Sequence, residues 1–433
     1  MWLDKNLTNL VGLPASALEE KAEAGCIADD WAEKPVKSNG SDAVRLSLEG
    51  LRHAYGATPA IHDVSLEVHA GEVVSLLGPS GCGKSTTLRI AAGVEHQSEG
   101  VVRIDGAVVS DERRHAPPEA RSVGLMFQEF ALFPHLSVAD NVAFGLKGRD
   151  RRARAAAELK RVGLSGYDNK FPHQLSGGEQ QRVALARALA PQPKVMLMDE
   201  PFSSLDHRLR DEIRDEALSL LQEAGTAVLL VTHDPDEAMR MSDRIALMRD
   251  GRIVQVGAPY HIYNHPADRL AAEFFSDLNI IHGVVSAQQT DTPFGRFLTP
   301  GLLDDVDVEV IIRPQHLKID LLSDGPPSET PSNGVAASGV VERSRFMGSQ
   351  SLIEVRMDYD NRVLNATVPG AFLPPRGERL WLSLRRDRCF VFPCSRQSRV
   401  EWPYMVQKPG GEASPAVFAG SAGTTLNAPN RTA

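Results

Sequence analysis

Cysteine is scarce in this chain, with four in 433 residues: Cys26, Cys82, Cys389 and Cys394. They show neither zinc-like pairing nor an even framework, which argues against a cross-linked secreted scaffold and fits a reducing compartment. Cys389 and Cys394 flank Phe390-Val391-Phe392-Pro393 and read as strand-end residues. There is no basic excess either. A net charge of -9 provides no overall positive field to draw nucleic acid. Long apolar runs are also missing: nothing approaches the roughly 18 continuous apolar residues of a membrane span. The N-terminus, with Asp4 and Lys5 and no clean apolar region, does not read as a signal peptide. The length fits two or three domains with real cores.

What the chain does have is an apolar run, Val73 to Leu77, that breaks into Gly78-Pro79-Ser80-Gly81-Cys82-Gly83-Lys84-Ser85. This is the phosphate-loop pattern, expected between a buried strand and a helix over Thr86 to Ala92. Glycines let backbone N–H groups point at phosphate oxygens, and the helix start favours negative charge. Lys84 is placed for the outer phosphates and the Ser85 hydroxyl for Mg²⁺. The pattern points to ATP or GTP. Cys82, inside the loop, reads as a point of oxidation or alkylation.

Further on, Leu175-Ser176-Gly177-Gly178-Glu179-Gln180-Gln181-Arg182 opens a helical segment, with Ser176 as N-cap and Glu179 completing a capping box. A plain cap does not need the exposed pair Gly177-Gly178, which allows another backbone or a second nucleotide's γ-phosphate to come close. The strand Val195 to Met198 ends in Asp199-Glu200. Asp199 is the expected Mg²⁺ partner, and Glu200, pointing the other way, can polarise a water for attack on the γ-phosphate. A second strand, Ala227 to Val231, ends in Thr232-His233-Asp234, with His233 where a γ-phosphate sensor would sit.

These motifs, in this order, resemble the nucleotide-binding subunit of an ABC transporter from Val44 to about Ser276, and on to about Phe392. By that resemblance Gly78–Ser85 is the Walker A loop, Leu175–Arg182 the signature and Val195–Asp199 Walker B. Glu200 is then the catalytic carboxylate, Ser203-Ser204-Leu205-Asp206 the D-loop and His233 the switch histidine. The resemblance also implies Gln128, in Met126-Phe127-Gln128-Glu129, as a glutamine that touches Mg²⁺ and faces the membrane partner. It makes Tyr55 the aromatic that stacks on adenine. Six motifs in order are specific.

The organisation follows. Residues 1–43 read as a weakly ordered extension and 394–433 as a flexible tail. Residues 44–277 read as an α/β phosphate-loop domain with a mostly parallel sheet and an inserted helical subdomain at about 124–191. The cluster Lys147, Arg149, Arg151, Arg152 and Arg154 is expected to be the solvated face of a helix buried through Ala155, Leu159 and Val162. Residues 281–393 carry recurring short β segments, as in a small barrel, with a loop over 322–338. They resemble the OB-like accessory domain of importer ATPases, for docking or regulation rather than nucleic-acid binding.

As a family member the chain is expected to hydrolyse ATP with Mg²⁺ as a head-to-tail pair of copies. It would drive bacterial import through separate membrane permease subunits, indirectly serving a substrate-binding protein, at the cytoplasmic face of the inner membrane. Val123–Leu146 and Ile312–Asp320 look most like ferric-iron importers, and polyamine, sulfate and sugar importers share most of the pattern. A soluble ABC ATPase of translation or repair is the alternative of a different class. It lacks support, since the chain has neither a second nucleotide domain nor a long coiled-coil insert.

Overall fold

A computed structural model describes residues 43–128, 130–203, 207–321 and 335–394. The N-terminal extension, most of the D-loop, most of the 322–338 loop and the tail from 395 lie outside the described residues. A hairpin of β1 (Val44–Tyr55) and β2 (Thr58–His69) opens the fold. Ile61, Val64, Leu66 and Val68 of β2 are buried, which gives it one core face. β3 (Val73–Leu77) is buried throughout and turns through the glycine loop into α1 (Lys84–Ala92). β4 (Glu99–Ile104) and β5 (Ala107–Ser110) follow.

β6 (Val123–Met126) then precedes α2 (Val138–Ala143), α3 (Arg151–Arg161) and α4 (Gly177–Leu189). The helical stretch therefore starts later than the expected residue 124. Val123–Met126 pairs in parallel with the next strand, and a Cβ on Gly124 would lie 2.7 Å from the Ala188 carbonyl. Glycine here lets the α4 backbone rest directly on the strand. In α3, Ala155 and Leu159 are buried, as is Val162 just beyond it, while Arg151 and Arg152 face solvent, as the 3.6-residue period requires.

β7 (Val195–Asp199), α5 (His207–Ala224), β8 (Ala227–Thr232), α6 (Pro235–Met241), β9 (Arg244–Arg249) and β10 (Arg252–Gly257) complete the main sheet. Its order is β5-β4-β1-β2-β10-β9-β3-β8-β7-β6. The run β9-β3-β8-β7-β6 is parallel and its central strands are buried on both faces, the usual state of a parallel sheet. Four neighbouring strands, β3, β8, β7 and β6, thus deliver their C-terminal ends to one edge, where ligands of open α/β sheets bind.

α7 (Pro259–Asn264) and α8 (Arg269–Phe275) lead into an all-β region. It comprises β11 (Asn279–Ser286), β12 (Gln289–Thr292), β13 (Gly295–Leu298), β14 (Asp307–Ile312) and β15 (Leu317–Leu321). β16 (Ala337–Phe346), β17 (Gln350–Met357), β18 (Val363–Pro369), β19 (Arg379–Leu384) and β20 (Phe390–Pro393) complete it. Two five-stranded sheets, β13-β12-β11-β14-β20 and β15-β19-β16-β17-β18, share one core that includes Val310, Ile312, Val355 and Leu382. This is the OB-like architecture expected from the sequence. The polar strand Gln289–Thr292 carries no apolar alternation, and its pairing with β11 and β13 depends on neighbours.

Arg313 joins the two regions. It is fully buried, lies 3.6 Å over the Tyr263 ring and donates to the Tyr263 carbonyl at 2.7 Å and Ser276 Oγ at 3.1 Å. Among the described residues no helix is long and apolar enough to cross a membrane.

Candidate nucleotide site

Sterics fix the loop between β3 and α1. A Cβ on Gly78 would sit 2.1 Å from the Met248 carbonyl oxygen, and one on Gly83 2.6 Å from that of Ala60. Pro79, Ser80 and Gly81 are exposed at the tip. Thr87 Oγ1 donates to the Gly83 carbonyl at 3.0 Å and locks the first turn of α1, with Thr86 beside it. Lys84 is 5 % exposed. Its Nζ donates to the carbonyls of Gly78 at 2.7 Å and Pro79 at 2.8 Å, and among the described residues no carboxylate pairs with it. A buried ammonium held by two loop carbonyls and the Cys82 sulfur at 3.9 Å, with no carboxylate beside it among the described residues, is a fit for an anionic ligand. Cys82 is buried, and that burial pushes its thiol up, so the oxidation expected from its position in the loop is disfavoured.

Asp199 ends β7 and accepts from Ser85 Oγ at 3.0 Å. The two sequence motifs therefore meet across the strand between them. Burial, opposed by this hydrogen bond, raises the Asp199 pKa. Glu200 adopts a left-handed backbone, φ 45°, with its N–H donating to the Val231 carbonyl at 2.9 Å. The turn brings Glu200 Oε2 to 3.0 Å from Nδ1 of His233, the residue just past β8. A left-handed glutamate costs on the order of 1–3 kcal/mol and is held only where its surroundings demand it.

A buried network not evident from the sequence backs His233. Arg214 of α5 donates to Asp234 at 2.8 Å and lies 3.5 Å from Glu237; Thr232 Oγ1 donates to Glu237 at 2.7 Å. Burial raises the Glu237 pKa. At Asp234 burial also pushes upward, but Arg214 and the N–H groups of α6 outweigh it and the carboxyl sits below its ordinary value. An arginine in a helix reads from sequence as a solvated side chain, so no local signal reveals this one.

The other expected residues are more dispersed. Tyr55 is 45 % exposed at the β1–β2 turn, on the hairpin whose second strand abuts Gly83. Gln128, exposed just after β6, makes no hydrogen bond to Ser85 or Asp199 among the described residues. Beyond it Phe130 and Ala131 have positive φ, and Arg187 of α4 donates to both their carbonyls, at 3.0 and 2.7 Å. Arg187 thereby ties the segment after Gln128 to the signature helix.

The capping box forms as expected: the Ser176 N–H donates to Glu179 Oε2 at 2.7 Å, and the Glu179 N–H donates back to Ser176 Oγ at 3.4 Å. The glycine pair is not exposed throughout. Gly177 is open, whereas Gly178 is buried, with Ile213 Cδ1 2.7 Å from where its Cβ would be. One glycine serves packing on α5 and the other leaves the helix start accessible. Among the described residues no hydrogen bond joins Ser176–Gly178 to the loop of the same chain.

Comparison with known proteins bears on both the ATPase region and the all-β region. A model described as ABC transporter matches residues 61–203, and one described as TOBE domain matches 310–392. The putrescine transport ATP-binding protein PotG of Escherichia coli is 38 % identical over 371 residues, 80 % of this chain and 94 % of that protein. The chain belongs to the ABC transporter family. The Fe(3+) ions import ATP-binding protein FbpC of Mesorhizobium japonicum is 41 % identical over 316 residues, 72 % of this chain and 87 % of that protein. The sulfate/thiosulfate import ATP-binding protein CysA 2 of Chromobacterium violaceum is 47 % identical over 250 residues, 57 % and 67 %. This ABC protein is a transport ATPase with a C-terminal TOBE domain.

The raised Asp199 pKa has a measurable consequence. A folded-state pKa above the unfolded one costs nothing below the ordinary aspartate range; the cost of the charge appears as pH rises through the folded value. Asp199→Asn is therefore expected to raise the melting temperature of the nucleotide-free chain at neutral pH, an advantage that fades on acidification. Calorimetry at neutral and acidic pH checks this, and equal melting of the two proteins at neutral pH contradicts it.

Proposed function

We propose that this chain hydrolyses ATP to drive import through a separate membrane permease, working as an ATP-joined pair of copies at the cytoplasmic face of the inner membrane. The observation that carries this reading is the convergence of Lys84, Ser85, Asp199, Glu200 and His233 at the ends of neighbouring parallel strands. Lys84 and the backbone N–H groups of Gly78–Thr86, Pro79 excepted because it has none, bind the phosphates, and Tyr55 stacks on the adenine. The hydroxyl of Ser85, the carboxylate of Asp199 and the amide of Gln128 form an all-oxygen donor set that suits Mg²⁺. When bound, that ion would neutralise charge on the phosphates. Glu200 accepts a proton from the attacking water, His233 holds the γ-phosphate, and Ser176–Gly178 of a second copy closes over it.

Relatives that align with most of the chain are transport or import ATP-binding proteins, which supports import as the direction. A substrate-binding protein is then an indirect partner. For the cargo we read ferric iron, from Val123–Leu146 and Ile312–Asp320. A polyamine is the second reading, because PotG aligns over 371 residues against 316 for FbpC. Uptake of ferric iron and of putrescine by cells lacking this chain separates them. Loss of iron uptake alone supports the first, loss of putrescine uptake alone the second, and loss of neither overturns both.

We further propose that residues 44–277 are the catalytic unit. A chain ending at Asp277 is expected to bind ATP with near-normal affinity, measured with a fluorescent nucleotide. A folded truncation that binds none rules this out.

A further inference from the structure

A second cluster of donor atoms lies outside the nucleotide site, on the outer face of the sheet containing β11, β14 and β20. His282 and Glu309 are direct cross-strand partners, and Glu309 is opposite Phe392 on its other side. Side chains alternate along a strand, so Cys394, two residues past Phe392, shares their face. The buried residues Ile281, Val308 and Val310 point the other way, into the core. The Cys394 N–H donates to the Asp307 carbonyl at 2.8 Å, which continues the ladder to the cysteine. One donor atom from each of His282, Glu309 and Cys394 lies within 4.8 Å of the others.

We propose that His282, Glu309 and Cys394 bind a borderline-soft divalent cation of the Zn²⁺ class. An imidazole nitrogen, a thiolate and a carboxylate are the donors such ions select, and water can complete four-coordination on this exposed face. Mg²⁺, which favours oxygen ligands, is poorly matched to a thiolate. On binding, the Cys394 thiol releases its proton to solvent as the sulfur–metal bond forms, and His282 binds as the neutral imidazole. Burial, together with the charges of Glu309 and Asp307, pushes the free thiol up while Arg269 opposes them.

Glu309 already has a partner. Arg269, at the start of α8, donates to its two oxygens at 3.0 and 3.3 Å. The cation and Arg269 compete for the same carboxylate, so occupancy loosens one tie between the ATPase region and the all-β region and leaves Arg313 in place. The site is thus wired to the junction through which the all-β region can influence the ATPase.

Co²⁺ titrated into the nucleotide-free full chain provides the test, because thiolate-to-cobalt charge transfer absorbs in the near ultraviolet. The band is expected to appear with the wild type, to be displaced by Zn²⁺ and to vanish in Cys394→Ser. His282→Ala is expected to weaken Co²⁺ binding at least about tenfold, and Arg269→Ala to tighten it several-fold by freeing Glu309. His282 and Cys394 are exposed, so these two variants are expected to melt with the wild type. A band that survives in Cys394→Ser, or an affinity unmoved by both His282→Ala and Arg269→Ala, overturns the proposal.

Discussion

Glu200→Gln is expected to lower ATP turnover by at least about a hundredfold while leaving nucleotide affinity within a few-fold of wild type. The reason lies in where the backbone sends the side chain. Asp199 continues β7 and meets Ser85, whereas the left-handed turn at Glu200 delivers its carboxylate to His233. A group there is positioned for water and the γ-phosphate and contributes nothing to the cradle around Lys84. Glutamine keeps the shape and a hydrogen bond to His233 but cannot accept the proton. Lys84→Ala, by contrast, removes the buried ammonium and should weaken ATP binding itself. Steady-state hydrolysis at saturating ATP, alongside a binding titration, separates the two, and a glutamine variant with normal turnover would remove Glu200 from its proposed role.

Mixing two inactive variants should restore activity. Ser176–Gly178 makes no hydrogen bond to its own chain's phosphate loop among the described residues, and Gly177 leaves the α4 helix start open. Two copies related by a twofold axis can each offer this helix start to the other's loop, giving two equal sites. Lys84→Ala disables every loop in its homodimer, and Ser176→Arg blocks every helix start in its own. A mixed pair has both lesions in one site and neither in the other. Free exchange of subunits should therefore recover about a quarter of the wild-type activity, measured with the permease present to hold the pair. An inert mixture in which mixed pairs are verified would mean that the sites are not shared.

Much of the site was legible because its signals are local. The glycine spacing of residues 78–83, the Lys84-Ser85 pair and the box between Ser176 and Glu179 each need only a few consecutive residues, and the buried face of α3 needs one helical period. What escaped depends on residues far apart in the chain. The left-handed turn at Glu200 is set by its bond to Val231, and Asp234 and Glu237, which follow His233, are held by Arg214 of α5. Arg187 reaches back to Phe130 and Ala131, and Gly178 is buried by Ile213. The polar strand Gln289–Thr292 exists because of its neighbours. Sequence periodicity carries no trace of such pairings, since each is chosen by packing.

The strand order also dictates when the site can exist. Ser85, on the helix that follows β3, meets Asp199 at the end of β7, 114 residues apart, yet in space β8 lies between the two strands. A growing chain that has made the phosphate loop, the signature helix and Asp199 still has no central strand on which to align them. Alignment of the phosphate loop with Asp199 therefore waits until Ala227–Thr232 has emerged and inserted between β3 and β7. Long-range closure of this kind is slow, and until it occurs the apolar edges of β3 and β7 are open to wrong partners. Of the three strands β3, β7 and β8, the last to be made is thus the one that holds the other two in register.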